Sequence, residues 1–250
     1  MSGHSKWATT KHKKAAVDKT RGKLFAKIIR QVEVAAREGG ADVEGNPTLR
    51  TMYQKARSAS IPLDTIEKAI KRGTGELEGV RYEAITYEGY APCGVAVYIE
   101  ALSDNRNRTS ADVRSTFSKL GGSIAEPGAV SWQFERKGVF ILPKTAGSED
   151  DLMAVGLDAG LEDLEDQGDS WQMTTAPQDF SNLKQALDDA GIAYDSAELT
   201  MVATTAVPLD NESDARKVLR LLDALEDNDD VQNVFANFDI PDAVLEMVEA

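Results

Sequence analysis

Cysteine is nearly absent from this sequence. Cys93 is the only one in 250 residues, which excludes an internal disulfide framework and any multi-cysteine zinc site. Histidine is nearly as scarce: His4 and His12 are the only two, and both fall in a polar N-terminal segment where no scaffold would position a general base. No apolar run reaches the roughly 18 residues that a bilayer demands, and the N-terminus has no apolar stretch of the kind a secretory signal needs. Walker-type and dinucleotide glycine patterns are missing too, since Gly73-Thr74-Gly75 lacks the rest of either. The acidic run from Glu226 to Asp230 has the composition of a calcium loop but not its sixth-position glycine or closing glutamate, and it reads as a turn joining helix to strand. These absences predict a cytoplasmic protein with no catalytic residues, cofactor, metal, membrane or small-molecule substrate.

What the sequence has in plenty is charge, unevenly placed. Hydrophobic residues make up 42% and charged residues 28% of the chain, ordinary values for a globular protein, yet the formal net charge is −14. Residues 1–80 carry 16 Lys/Arg against 9 Asp/Glu, a net of +7, whereas residues 81–250 carry 12 against 33, a net of −21. A basic front attracts a polyanion; an acidic body repels it, which orients the protein and limits non-specific sticking. The alternative reading of the acidity is solubility, or adaptation to the host's solvent.

Residues 1–20 are basic, polar and small without an apolar period, and read as a flexible arm. Residues 21–38 predict a helix, with Leu24, Phe25, Ile28, Ile29, Val32, Ala35 and Ala36 on one side and Lys23, Lys27, Arg30 and Arg37 on the other. Gly39-Gly40 ends it. Asn46-Pro47 opens a second helix with Leu49, Met52, Tyr53 and Ala56 inside. Pro62 opens a third, with Leu63, Ile66, Ala69 and Ile70 inside and Gly73 as its stop. A small bundle of three helices over residues 21–75 is the expectation, followed by a glycine-bearing linker.

From residue 81 the period changes to two. Residues 84–102 read as strand, turn and strand, with the turn around Gly89–Pro92; residues 104–122 read as a loop and a helix with Val113, Phe117 and Leu120 inward. Strands are expected at 130–134 and 138–142, then a helix with Leu152, Met153 and Leu157, strands at 161–165 and 170–175, a helix at 178–190, a strand at 196–204, a helix at 212–226 and a last strand at 231–238. Helices mixed with short hairpin-joined strands indicate an α+β fold, and the inner βαββαβ run matches a ferredoxin-like unit.

Several segments carry a family resemblance: GHSKW, KHKKAAVDKTRGKLFAKI, the long run from YEGYAPCGVAVYIEALSDNRNRTSADVRSTF to FERKGV, and DDVQNVFANFDI. They resemble the YebC family, in the family's order and over nearly the whole chain. Members of that family carry the label of transcriptional regulators, and its mitochondrial member is a translational activator of a cytochrome oxidase subunit. The resemblance implies an N-terminal three-helix domain followed by two α/β domains, one of them ferredoxin-like and inserted into the other. The boundaries read from periodicity agree: residues 1–80 for the arm and helical domain, 81–134 with 206–250 for the middle α/β domain, and 135–205 for the insertion. One departure is Cys93, where the family more often has glycine; that position is expected in a turn.

Candidate binding residues follow from the charge. Lys6, Lys11, Lys13, Lys14, Lys19, Arg21 and Lys23 have the cation density of a nucleic-acid arm. Trp7 and His12 lie among them as rings that can stack on unpaired bases. Lys27 and Arg30 continue the basic stripe along the first helix. In the loop Asp104–Thr109, Arg106 and Arg108 beside a helix start could form an anion site, or an Asp104–arginine clamp could hold the loop closed. The expected function is a non-enzymatic nucleic-acid-binding regulator of gene expression, with DNA as the polymer by family label. A ribosome-associated, RNA-binding translation factor is the alternative, and the residues do not separate the two. A hydrolase using carboxylates of the acidic body is the rival from another class. A monomer bound to DNA or ribosomal RNA is the expected assembly.

Overall fold

A computed structural model describes residues 18–249. The arm residues Lys6, Trp7, Lys11, His12, Lys13 and Lys14 lie outside the described residues.

Three helices come first: α1 (Asp18–Gly39), α2 (Pro47–Ser58) and α3 (Leu63–Thr74). Ile28, Val32, Ala35 and Ala36 of α1 pack against Leu49 and Ala56 of α2 and Ile66 and Ala69 of α3. Asn46 ties the first corner. Its Oδ1 accepts from the Leu49 amide at 3.0 Å, while its Nδ2 donates to the carbonyls of Ala35 and Gly40 at 2.8 and 3.0 Å. One side chain thus satisfies orphan groups at the end of α1 and the start of α2.

Three expectations about this bundle are corrected. Leu24 and Leu63, expected inside, are 42% and 44% exposed. Gly73 does not stop α3. It is buried within the helix, where a Cβ would run into the Glu33 carbonyl oxygen and the Ala36 methyl of α1; the stop is Gly75, at φ +84°.

The first sheet is fully antiparallel with strand order β3-β1-β2-β9, formed by β1 (Glu83–Tyr90), β2 (Ala96–Ser103), β3 (Ser123–Ala125) and β9 (Val231–Ala236). It packs on α4 (Arg106–Lys119), α7 (Glu212–Glu226) and α8 (Asp242–Glu249) through Ile85, Ile99, Val113, Phe117, Leu222 and Leu245. A short parallel pair, β8 (Val207–Pro208) with β10 (Phe238–Asp239), sits beside it. Between β3 and α7 the chain builds a second antiparallel sheet, order β5-β6-β4-β7, from β4 (Phe134–Pro143), β5 (Leu161–Asp166), β6 (Ser170–Thr175) and β7 (Ser196–Ala203). The helices α5 (Glu149–Gly156) and α6 (Phe180–Asp189) cover it over Phe140, Leu142, Leu152, Met173, Leu183 and Leu187. That order and connectivity are ferredoxin-like.

The strand readings also need correction. One strand, β4, replaces the two expected at 130–134 and 138–142, and residues 131–133 form a 3-10 turn. Gly138 is no break but a packing position, since a Cβ there would lie 2.6 Å from the Phe180 ring and 2.7 Å from the Thr175 methyl. Gly89 lies inside β1, and the turn falls at Ala91–Val95 with Cys93 at φ +64°, a backbone geometry that glycine adopts without strain. Leu157, expected inside, is 59% exposed because α5 ends at Gly156 and tightens into a 3-10 turn. The expected last strand is divided at the buried Asn237, whose Oδ1 accepts from the Ala96 amide at 2.6 Å. β3, β8 and α8 were not expected. Among the described residues no helix is long and apolar enough to cross a membrane, and no group of three or more His, Cys, Asp or Glu could hold a metal ion.

Candidate nucleic-acid interface

Lys23, Lys27 and Arg30 recur along α1 at i, i+4 and i+7, so their side chains line one face in successive turns. That face meets the end of α7. α7 has no basic residue in its last turn, and a helix C-terminus leaves carbonyl oxygens without partners and carries partial negative charge. α1 supplies the missing donors. Lys23 Nζ reaches the Asp227 carbonyl oxygen at 3.0 Å and its carboxylate at 2.8 Å; Lys27 Nζ reaches the Glu226 carbonyl oxygen at 2.8 Å. Arg30 donates to the Asp229 carbonyl oxygen at 2.5 Å and to Asp230 Oδ1 at 3.0 Å, and its guanidinium lies 5.1 Å from the centre of the Tyr82 ring. The stripe is therefore turned onto the protein's own acidic run, and the expectation of an outward basic face is corrected for these three residues. Arg37 faces the linker instead, donating to the carbonyls of Tyr82 and Val80 at 3.1 and 3.3 Å.

Asp230 is the centre of the junction. It is 4% exposed. While Oδ1 takes Arg30, Oδ2 accepts from Arg108 at 2.7 Å, from the Thr109 hydroxyl at 2.6 Å and from the Ser103 hydroxyl at 3.3 Å. Burial alone would raise the Asp230 carboxyl; the hydrogen bonds from Arg108 and Thr109 and the charges of Arg108 and Arg30 outweigh it and hold the carboxyl below the usual aspartate range. Arg108 also pairs with Asp104 at 2.7 Å, and these partners keep its guanidinium protonated beyond its already high ordinary value. Asn105 caps α4 by accepting from the Arg108 amide at 3.1 Å. For Arg108, then, the loop clamp is what the structure contains, enlarged by a second carboxylate that the sequence placed far away. Arg106 is exposed and makes no ion pair with another described residue. Lys19 and Arg21 lie in the first turns of α1. A groove of about 560 Å³ runs beside the junction, lined by Lys23, Arg30, Tyr82, Asp104, Arg108 and Asp230 among others.

Sequence reasoning missed Trp132. It is 71% exposed, on a loop that is firmly held. The nearly buried Glu88 carboxylate accepts from the amides of Gly128, Val130 and Ser131 at 2.7, 2.6 and 2.9 Å. Burial pushes the Glu88 carboxyl up, but those three amides pull it below the usual glutamate range. The Trp132 indole donates to the Ala129 carbonyl at 3.1 Å, which ties the ring's edge to the backbone while the residue stays exposed. The signal was the Pro127-Gly128 turn pair; reading residues 130–134 as a strand hid it.

Comparison with known proteins gives a consistent result. The family described as "TACO1/YebC protein N-terminal domain" matches residues 5–76, and "TACO1/YebC second and third domain" matches residues 82–238. A protein of Streptomyces avermitilis named "Probable transcriptional regulatory protein" is 57% identical over 251 residues, covering 100% of each chain. One of the same name from Syntrophobacter fumaroxidans is 50% identical over 248 residues, covering 99% of this chain and 100% of that one. The crystal structure of the conserved hypothetical protein Aq1575 from Aquifex aeolicus superposes with a TM-score of 0.81 at 45% identity, covering 91% of this chain and 94% of that one.

Proposed function

This chain belongs to the TACO1/YebC family, and from that premise we propose that it is a non-enzymatic, nucleic-acid-binding regulator of gene expression. The observation that carries the reading is the charge division, +7 over residues 1–80 against −21 over the rest. Lys6, Lys11, Lys13, Lys14, Lys19 and Arg21 grip the phosphate backbone; Trp7 and His12 stack on bases; Arg106 adds a contact from the body. The acidic surface keeps the polymer on the basic side. The names of the relatives support a role in transcription; in that reading the polymer is DNA.

A second reading, an RNA-binding factor working at the ribosome, is favoured by Trp132. A rigid, exposed indole suits unpaired bases, contributing about 1–3 kcal/mol for each base stacked, and folded RNA offers such bases where duplex DNA does not. The basic side of α1, facing Glu226–Asp230, is also not disposed as a groove-reading helix.

Reversing Lys11, Lys13 and Lys14 together to Glu tests the common part. Binding to both RNA and DNA is expected to disappear in a filter or anisotropy assay while the thermal melt stays unchanged; unchanged binding would discard the role given to the arm. Sedimentation of cell extract at low and high salt separates the readings. Salt-sensitive co-migration with ribosomes selects translation, whereas absence from ribosomes with recovery on promoter DNA selects transcription.

A further inference from the structure

The basic face of α1 and the acidic end of α7 meet through carbonyl and carboxylate oxygens, acceptors for the same lysine donors that a phosphate backbone would take. We infer that residues 226–230 are an internal stand-in for that backbone, holding Lys23 and Lys27 until a nucleic acid displaces them. The inference rests on the proposed nucleic-acid reading and adds regulation of the same surface.

The junction is graded along its length. At one end, the Arg30–Asp230 pair has side chains 19% and 6% exposed and joins a network with Arg108 and Thr109. At the other, the Lys23 and Asp227 side chains are 44% and 77% exposed, and an exposed pair of this kind holds weakly and yields to salt. Lys27 lies between, on a backbone carbonyl oxygen. The weak end is where the arm enters α1, because α1 starts at Asp18. A polymer captured by the arm therefore reaches Lys23 first, then Lys27, and stops at the anchored Arg30. Opening this junction removes part of the apparent affinity, since only the open fraction of molecules can bind with the full surface. Each freed lysine then exchanges a carbonyl or carboxylate oxygen for a phosphate oxygen, so the exchange needs no new chemistry.

Asp227→Asn tests this in the full-length protein, with Asp158→Asn as a control that removes the same charge from an exposed position on the ferredoxin-like unit. The probes are a short fluorescent RNA and its DNA equivalent, read by anisotropy, with thermal melts run alongside. Near 50 mM salt, Asp227→Asn is expected to bind about two- to fivefold more tightly than the wild type, the range set by one exposed ion pair. The gain should close as salt rises toward about 300 mM, where screening opens the wild-type junction too. Asp158→Asn should match the wild type. Equal affinity for Asp227→Asn and Asp158→Asn at low salt, or weaker binding by Asp227→Asn, would overturn the inference. If that happens while the Lys11, Lys13 and Lys14 reversal still abolishes binding, the nucleic-acid reading stands without the internal competitor. A wild type that binds neither probe would overturn both.

Discussion

Asp230 gathers two arginines and two hydroxyls around one nearly buried carboxylate. Asn at this position keeps the shape and removes the charge, taking from Arg30 its carboxylate partner and leaving Arg108 with Asp104 alone. Breaking a fully buried pair from one side takes away about 3–5 kcal/mol; because Arg108 keeps a half-exposed side chain, about 2–3 kcal/mol is expected here, read from urea denaturation. The pH dependence has a definite sign. The folded-state carboxyl titrates below its ordinary value, so the stability it contributes is fully present above the unfolded value of about 3.9 and is lost as pH falls through the lower folded value. The wild type should therefore lose stability into acid more steeply than Asp230→Asn below about pH 4, as urea midpoints measured from neutral to acid pH would register.

At the scale of elements, the crossing of α1 and α3 depends on Gly73. A methyl group there meets the Glu33 carbonyl oxygen and the Ala36 side chain, and Glu33 is itself held by Arg72 one residue away. Gly73→Ala, although it raises helix propensity, is expected to lose about 1–3 kcal/mol through overpacking, visible as a lower denaturation midpoint. The same glycine shows what was legible in the sequence. Read locally it was a stop signal; its real reason lies forty residues back, in another helix. α7 was legible to its ends, Glu212 and Glu226, because a local cap at Asn211 and a leucine period on one face both report it. β4 was divided because Gly138 resembles a break until Phe180 is placed against it. The basic stripe of α1 was seen correctly as a stripe, but its partner lies 199 to 204 residues away, and no periodicity reaches that far. Trp132 was hidden because residues 130–134 read as a strand, and the Glu88 carboxylate that holds the turn there lies in β1, more than forty residues back.

At the scale of the whole molecule, the charge division and the family membership bear on one activity, and the three-helix bundle is fastened to the body by ionic contacts across its basic helix. The central claim concerns the arm: cations gathered at the front of an acidic protein bind a phosphate polymer. The most direct measurement compares the full chain with one lacking residues 1–17, each titrated with labelled RNA and DNA over a series of salt concentrations. The shortened chain is expected to bind at least about a hundredfold more weakly near 50 mM salt, with a dependence on log salt flatter by about 0.7 for each single-strand phosphate it no longer neutralises. Equal affinity and equal salt slope for the two chains would contradict the claim.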